Sequence, residues 1–565
     1  MVRKKMIPRL ALSILPLMML SIGAFSQSVP PTVFFTDLTS GPNTGGENNN
    51  GTILTIYGRN FGATRGTSTV TVGGGQVAAY LVWGGRSKAA TTAAQLETIS
   101  VAIGSGASSG TVSVTTSNGS SSCADSLDNC HFTVRSGNIR CVSTSGNDSN
   151  SGNFPSTCWG TIVGAKNSLA PGDIAYVENG VNQTSVDNYN ADLAITGNNC
   201  TVASPCALIA YPGAVSNIGS TSASYGVRTP AVSGNMNYWI IAGFNIEGIA
   251  GLDLVSVTGW RVINNNFNCP QGSGQSACMH TDTTTQYRFY GNYVHDVGDQ
   301  AGSIDKYYHA VYFTTNSNHI WAAWNEVAPN PTKQTTQGGC RAIQFYSTGG
   351  ANQFDLHVHD NWVHDAICDG INFSTVDPSK GTVEAFNNVV YHVGTGPDPA
   401  NGSSNYSCVV SGGGGSGNML VYNNTFYDCG SWRTSDAGAL DPTGPNISVT
   451  NNIVYQLSGE SFVNPNTSGS MLSGANNIWF GASSSVISGL IGNILSDPLF
   501  VSTGTNFMLQ ASSPAIGAGS TSQHSTFDFN GGPRPSPPSI GAYEYAAASS
   551  VQQPNPPTGL TVTVN

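Results

Sequence analysis

His309-Ala310-Val311-Tyr312-Phe313, Arg341-Ala342-Ile343-Gln344-Phe345 and Asp369-Gly370-Ile371-Asn372-Phe373 superimpose on one another. They follow at steps of 32 and 28 residues. The third and fifth positions are apolar in all three, the second is small, and the first carries His, then Arg, then Asp. Segments of one pattern at a near-constant step read as neighbouring rungs of one parallel sheet in a solenoid. By the two-residue period of a strand, the third and fifth positions face inward and the second and fourth outward.

The frame extends in both directions. Asparagine precedes an x-apolar pair at Asn265, Asn292, Asn325, Asn361, Asn388, Asn424 and Asn452, at intervals of 27, 33, 36, 27, 36 and 28 residues. A shortest interval near 27 with longer ones between is what a coil with variable loops gives. Stacked Asn side chains can bond along the ladder and satisfy the backbone at each bend. The ladder therefore reads as architecture.

Composition fits. Only 9% of the 565 residues are charged, and Gly numbers 68, which suits a β-rich extracellular protein. Arg3, Lys4, Lys5 and Arg9 followed by the apolar run Leu10 to Leu20 and Ala24-Phe25-Ser26 read as a secretory signal over residues 1–26. No other stretch is apolar enough for a span. Removing four basic residues with the signal leaves 16 basic against 31 acidic, a net charge of −15. That argues against nucleic acid, and a strongly anionic polymer needs a local basic patch or a metal ion. All twelve Cys lie after the signal, and an even count in a secreted chain reads as disulfides. Ten fall in sequence-close pairs. Cys340 and Cys368 remain, each one residue before its rung, and stacking brings them within disulfide reach.

Residues 31–135 show short strands with Gly/Asn turns, the pattern of a small β-sandwich. The turn Gly58-Arg59-Asn60-Phe61-Gly62 and the strand Ser109 to Val114 resemble the IPT/TIG immunoglobulin-like domain, which implies a spacer or binding module and no chemistry. Residues 137–545 resemble the pectate-lyase-like superfamily of right-handed parallel β-helix proteins. Cys141 to Asp148, Trp159 to Ile162 and Ala170 to Val177 match its opening, with a capping amphipathic segment near Ile162 to Leu169. Asp497 to Phe500, Ser513 to Ile516, Asp528 and Ile540 to Glu544 match its close, which is expected to pack against the last coil. Residues 546–565 read as a linker and the start of a fibronectin type III strand, Pro556 to Thr563. The fold expected is all-β: a right-handed parallel β-helix preceded by a small immunoglobulin-like sandwich.

The aligned rungs define two outward columns. The fourth position reads His280, Tyr312, Gln344, Asn372, Val410 and Asp441. The second reads Cys278, Ala310, Ala342, Gly370, Cys408 and Ala439. Polar beside small makes a groove in which a sugar ring can lie, with His280, Tyr312, Gln344, Asn372 and Asp441 binding hydroxyls. His309, Arg341 and Asp369 stand at its rim on rungs about 5 Å apart. Arg341 can hold a substrate carboxylate, His309 can move a proton, and Lys306, beside Arg341, is a second base. Asp296, Asp299 and Asp305 are candidate oxygen ligands for Ca²⁺. His295-Asp296 and His364-Asp365 recur at one register and read as a turn device; His357 and His359 share a strand face and could bind a metal.

The superfamily resemblance implies a carbohydrate-active protein without fixing the reaction. The Asn-Thr-Asp, Asp-Asp and Gly-His-Gly set of polygalacturonases and the Asp-Pro-His-Asp of alginate epimerases are absent. The first expectation is a secreted, monomeric polysaccharide lyase acting on a uronate polymer, without a membrane span once the signal is removed. A hydrolase pairing Asp369 with Asp441 is the alternative on the same fold, and a non-catalytic glycan-binding or cell-surface protein the alternative from another class.

Overall fold

The computed structural model describes residues 29–123, 130–232, 234–299, 304–331, 338–467, 471–481, 487 and 489–546. The expected signal and the expected tail beyond Ala546 lie outside them. Among the described residues no helix is long and apolar enough to cross a membrane. The chain from Val29 to Tyr545 is one compact unit, all-β, with a parallel β-helix preceded by an immunoglobulin-like sandwich.

Three parallel sheets of twelve, nine and ten strands run the length of the helix. Each coil contributes a strand to each sheet in turn, as in Asn318–Ala323, then Glu326–Ala328, then Ile343–Tyr346. The seven predicted ladder asparagines occupy the corner between the twelve- and ten-stranded sheets, and Asn477 extends the ladder by one rung. Each Nδ2 donates to the Oδ1 of the next at 2.9–3.2 Å. The same amide donates to a carbonyl of the preceding strand region at 2.8–3.0 Å. Each Oδ1 also accepts the backbone N–H of the Asn one rung earlier. The residue before each Asn is left-handed, at Asn264, Gly291, Trp324, Asp360, Asn387, Asn423, Asn451 and Asn476. A non-Gly residue there costs about 1 kcal/mol, which the doubly bonded Asn behind it offsets.

The helix Ile162–Ser168 caps the first coil as expected. Thr161 Oγ1 accepts from Gly164 N at 2.8 Å, and Ile162, Ala165 and Leu169 close the interior. Inside, one apolar cluster is continuous from Val142 to Leu490, with Phe313, Phe345 and Phe373 stacked at 4.8 and 5.1 Å. All twelve Cys pair, Cys340 with Cys368 included.

Two of the three outer faces are covered. The sandwich lies on the twelve-stranded sheet, its Phe35 ring 5.1 Å from Tyr290 and 5.0 Å from Trp324, so that both share one core. Polar clasps fix the joint: Tyr176 Oη donates to Ile53 O at 2.7 Å, and Arg261 Nη2 to Thr36 O at 2.6 Å. Glu326, 1% exposed, accepts from Ala90 N, Thr91 N and Thr91 Oγ1 and bonds His364 Nε2 at 3.1 Å.

The closing segment meets the last coil as expected, where Phe500 shares an apolar cluster with Ile478 and Phe480 and Asn476 Nδ2 donates to Ala518 O at 2.9 Å, but it does not stop there. It runs back along the ten-stranded sheet, where Phe507, Leu509, Phe529 and Ile540 pack on Trp362, Val389, Tyr427 and Ile453. Those outward apolar residues span several rungs, which draws the segment along the helix rather than over its end. It also reaches the sandwich, where Thr32 Oγ1 donates to Gly531 O at 2.6 Å. Among the described residues, no hydrogen bond or apolar cluster joins sandwich or closing segment to the nine-stranded sheet. That sheet carries the columns read from sequence.

Asn361→Ala strips acceptors from Asn325 and a donor from the Ala322 carbonyl. Denaturant unfolding is expected to show a loss of about 3 kcal/mol. For the sandwich joint, burial pushes the Glu326 carboxyl up, but hydrogen bonds from His364 and Thr91 outweigh it and hold the group below 4.5. Burial pushes His364 down, but its bonds to Asp365 and Glu326 raise it above 6.5. The pair's contribution is full between those ordinary values. It is lost as pH rises through the raised His364 value or falls through the lowered Glu326 value. Glu326→Gln is expected to lower the thermal midpoint at pH 6, with the gap to wild type closing towards alkaline pH in calorimetric scans.

Candidate functional site

The strand register of the nine-stranded sheet aligns His280, Tyr312, Gln344, Asn372, Val410 and Asp441 as successive Cα partners. Asp253 precedes His280 in the same column. Sequence reading missed it, although it stands 27 residues earlier, the shortest coil interval. At the first position, Ala310 N donates to Arg341 O and Ala342 N to Asp369 O, both at 3.0 Å, so His309, Arg341 and Asp369 are on adjacent rungs.

The second position does not face out. Cys278, Ala310, Ala342, Cys408 and Ala439 belong to the interior cluster. A Cβ on Gly370 would meet Val390 Cγ1 at 2.6 Å and Cys408 O at 2.8 Å. The chain bends at Ala342, Gly370, Cys408 and Ala439. The bend breaks the two-residue alternation, turning second and third positions both inward, and only small residues fit inside the corner. There is no shelf of small residues for a sugar ring. The first and fourth positions share the outer face instead, and the rings of His309 and Tyr312 meet edge-on at 5.0 Å.

A wall formed by residues 395–406 flanks this face. Its anchor is a small core of Ile304, Cys340, Ile367, Cys368, Tyr406 and Ala437, pinned by the Cys340–Cys368 disulfide. From the wall, Ser404 Oγ accepts Arg341 Nη2 at 2.6 Å and Asn405 Nδ2 donates to Asp441 Oδ2 at 2.9 Å. Both lie in a loop without periodic signal, so coil alignment does not find them. Arg341 Nε pairs with Asp369 Oδ2 at 2.8 Å, and its Nη1 donates to the Lys306 carbonyl at 3.3 Å. Asp369 is fully buried; it also accepts from Asn372 Nδ2 at 2.7 Å and Ser407 N at 3.2 Å. It is therefore a positioning group for Arg341.

Tyr312 lies between two histidines of different character. His280 bonds through Nδ1 to Asp253 Oδ1 at 2.7 Å, and Asp253 Oδ2 accepts Arg228 Nε at 3.0 Å. A ring that donates from Nδ1 to a carboxylate keeps Nε2 as its acceptor when neutral. His309 is 3% exposed, and its Nδ1 finds no hydrogen-bond partner among the described residues. Burial, then the charges of Arg341 and His280, push its imidazole well below 6.5, so it is neutral. Burial raises the Tyr312 hydroxyl above its ordinary 10.0, so it stays protonated. Gln344 donates from Nε2 to Ser374 Oγ at 3.0 Å, while its buried Oε1 has no partner among the described residues. Asp441 accepts from Asn464 Nδ2 at 3.0 Å as well as from Asn405; burial, with Asp369's charge adding, raises its carboxyl.

The remaining candidates fall outside this constellation. Lys306 Nζ sits 5.9 Å from the ring centre of its neighbour Tyr307, and its backbone carbonyl, not its amine, meets Arg341. Asp296 Oδ2 bonds His295 Nδ1 at 2.6 Å on the ten-stranded sheet. Asp305 accepts from Gly274 N, Tyr307 N and Asn401 Nδ2, and Asp299 N donates to Gly272 O. Among the described residues no group of three or more His, Cys, Asp or Glu could hold a metal ion. His364 pairs with Asp365 as His295 does with Asp296, the expected turn device. His357 bonds Glu384 and Asp355, and His359 bonds Asp360.

No family model and no curated protein matches the sequence. Among solved structures, the pectate lyase Pel9A is 14% identical with a TM-score of 0.48, over 72% of this chain and 96% of its own. The alginate lyase from Paenibacillus sp. str. FPU-7 is 16% identical at 0.34, over 58% and 94%. XylC, in complex with xylose, is 10% identical at 0.40, over 72% and 98%. At such identities and scores none of these likenesses bears on chemistry.

His309 has a consequence for stability. Between its lowered pKa and 6.5 the unfolded chain binds a proton that the native ring refuses, so stability rises with pH across that window. One such group contributes a slope of up to about 1.4 kcal/mol per pH unit. Urea midpoints of wild type are expected to fall as pH drops below 6.5, and His309→Gln to flatten that fall. Equal slopes in both proteins would show that His309 carries a proton when folded.

Proposed function

We propose that the chain is a secreted carbohydrate-active enzyme, a polysaccharide lyase that cleaves a uronate-containing polymer by β-elimination on the outer face of the nine-stranded sheet. The observation that carries this reading is a neutral His309, its Nδ1 without a hydrogen-bond partner among the described residues, one rung from an anchored Arg341. β-Elimination removes the proton on the carbon bearing the carboxylate, so the cation that binds that carboxylate must adjoin the base. Arg carries five N–H donors. Asp369, Ser404 and the Lys306 carbonyl take three of them, which leaves two for a substrate carboxylate.

In this reading His309 Nδ1 takes the proton beside the carboxylate. The electron pair forms the new carbon–carbon double bond, and the bond to the glycosidic oxygen breaks. Tyr312, protonated and in edge contact with His309, gives its proton to that oxygen. The carboxylate's negative charge beside Arg341 relieves the repulsion that adds to burial in keeping His309 unprotonated, so the base strengthens when substrate binds. After the product leaves, His309 releases its proton to water and the Tyr312 phenolate takes one back from water, with His280, held by Asp253, packed beside the Tyr312 ring. Asp369 acts through Arg341, and Gln344 and Asn372 bind hydroxyls farther along. Six disulfides fit an oxidising, extracellular setting, and the sandwich is read as an IPT/TIG-type module that serves as a rigid support.

A hydrolase is the second reading, favoured by one observation: Asp441 is a carboxyl raised by burial, as a general acid requires. A panel of polygalacturonate, alginate and glucuronan separates the two. The lyase gives ultraviolet-absorbing unsaturated ends. His309→Gln and Arg341→Ala are each expected to lower turnover roughly 10²-fold or more, with Asp441→Asn changing it little. New reducing ends without that absorbance, lost in Asp441→Asn, would replace elimination with hydrolysis. Binding to the polymers without cleavage would remove both readings.

A further inference from the structure

Arg341 has a counterpart on the same sheet. In the fourth-position column Arg228, Asp253, His280, Tyr312 and Gln344 are successive Cα partners, and Arg341 stands on the Gln344 rung. Four rungs at the usual strand spacing separate the two arginines by about 19 Å along the helix axis. Each is held in the same way. Arg341 Nε pairs with Asp369 Oδ2 at 2.8 Å, and its Nη1 donates to the Lys306 carbonyl at 3.3 Å. Arg228 Nε pairs with Asp253 Oδ2 at 3.0 Å, and its Nη1 donates to the Tyr189 carbonyl at 3.1 Å. In both cases the carboxylate comes from the next rung. In both, the carbonyl belongs to a turn residue two positions before the strand of the preceding rung, Tyr308–Thr314 for Lys306 and Ala191–Ala194 for Tyr189.

The remaining donors differ. Arg341 Nη2 donates to Ser404 Oγ, whereas Arg228 Nη2 has no hydrogen-bond partner among the described residues. The Arg228 guanidinium lies 3.9 Å from the centre of the Tyr225 ring. That contact and the Asp253 bond fix its plane and leave the Nη2 edge for a planar acceptor. Tyr225 and Arg228 occupy the first and fourth positions of their rung, the two that share the outer face. On the preceding rung the Cα partner of Arg228 is Ala194, too short a side chain to cover a guanidinium, and the arginine side chain is 25% exposed. Acidic residues outnumber basic ones by 31 to 20 in this chain. Among the described residues, Arg228 is the one Lys or Arg within the nine strands of this sheet.

We propose that Arg228 binds a second carboxylate of the same uronate polymer, at a distal subsite that makes the protein select long chains over short ones. The inference rests on the elimination reading, which supplies the first carboxylate at Arg341. A sugar ring with its bridging oxygen advances a polymer by about the width of a rung. A chain laid along the axis therefore needs roughly five residues to touch both arginines. A carboxylate matches the flat, clamped fork, which offers two N–H groups on Nη2 to coplanar oxygens. Asp253 neutralises the resident charge of Arg228, so the empty subsite is not a bare cation, and it holds His280 on its other oxygen.

Steady-state elimination by the full chain on trimeric and octameric oligouronates tests this, with kcat and KM read from the absorbance of unsaturated ends. Wild type is expected to favour the octamer in kcat/KM by roughly tenfold or more, the weight of one charge-assisted hydrogen bond. That preference is expected to shrink at high salt. Arg228→Ala is expected to remove most of it, through KM on the octamer rather than kcat. An arginine that only supports Asp253 and His280 would, when removed, slow both lengths alike and leave the ratio as in wild type. Arg228→Lys keeps a cation beside Asp253 but not the flat fork, and its ratio is expected to fall between. The proposal is overturned if wild type handles both lengths equally, or if Arg228→Ala and Arg228→Lys keep the wild-type ratio; elimination itself stands in either case. If wild type yields no unsaturated ends from either length, the elimination reading falls and the distal subsite with it.

Discussion

From Asn265 to Asn477, one asparagine per coil sets this molecule's geometry. Its amide donates along the helix axis and across to the preceding strand, and its carbonyl accepts from two groups one rung away. An amide that is buried must find all these partners or cost about 1–3 kcal/mol for each one missing. The ladder therefore tolerates loops of any length between corners but no slip at the corner itself. From Asn265 to Asn477 the intervals vary, while the bonds stay within 2.9–3.2 Å. Register along the sheets follows, and with it the columns in which side chains from distant sequence meet.

Columns alone do not make a site; access does. The sandwich and the closing segment bury their apolar faces on two sheets, and polar clasps at Glu326 and Arg261 hold the first of these in place. The remaining face keeps His280, Tyr312 and their neighbours, with Arg341 and Asp369 beneath a wall whose Tyr406 packs on the Cys340–Cys368 disulfide. Placing a positioned arginine beside a neutral histidine in a low-dielectric corner is costly for folding, and that cost is a reason to look for chemistry there.

Much of this was legible in the sequence. The period exposed the coils, and coil alignment brought His280, Tyr312, Gln344, Asn372 and Asp441 into one column and His309, Arg341 and Asp369 onto neighbouring rungs. The failures have one origin: a repeat informs only where the chain is regular. Strict alternation put Ala342 and Gly370 outside, because a bend between first and third positions leaves no trace in the apolar pattern. Ser404 and Asn405 lie in an aperiodic loop and reach the site only through folding. Asp253 was in principle readable, as its spacing from His280 equals the shortest coil.

The bond between Thr32 and Gly531 closes a circuit of 499 residues. An ordinary solenoid is a stack of near-identical units that can fray from either end and grow by duplicating a unit. Here the beginning and the end of the fold are both fastened to its middle rungs and to each other. Fraying at one end must first undo a fastening to the centre, so local opening is coupled to global unfolding. Evolution by coil insertion is constrained in the same way. An added coil between Trp324 and Ile453 would move the seat of the closing segment by about 5 Å relative to the sandwich it also grips. The architecture that most easily changes length is, in this chain, locked at one length.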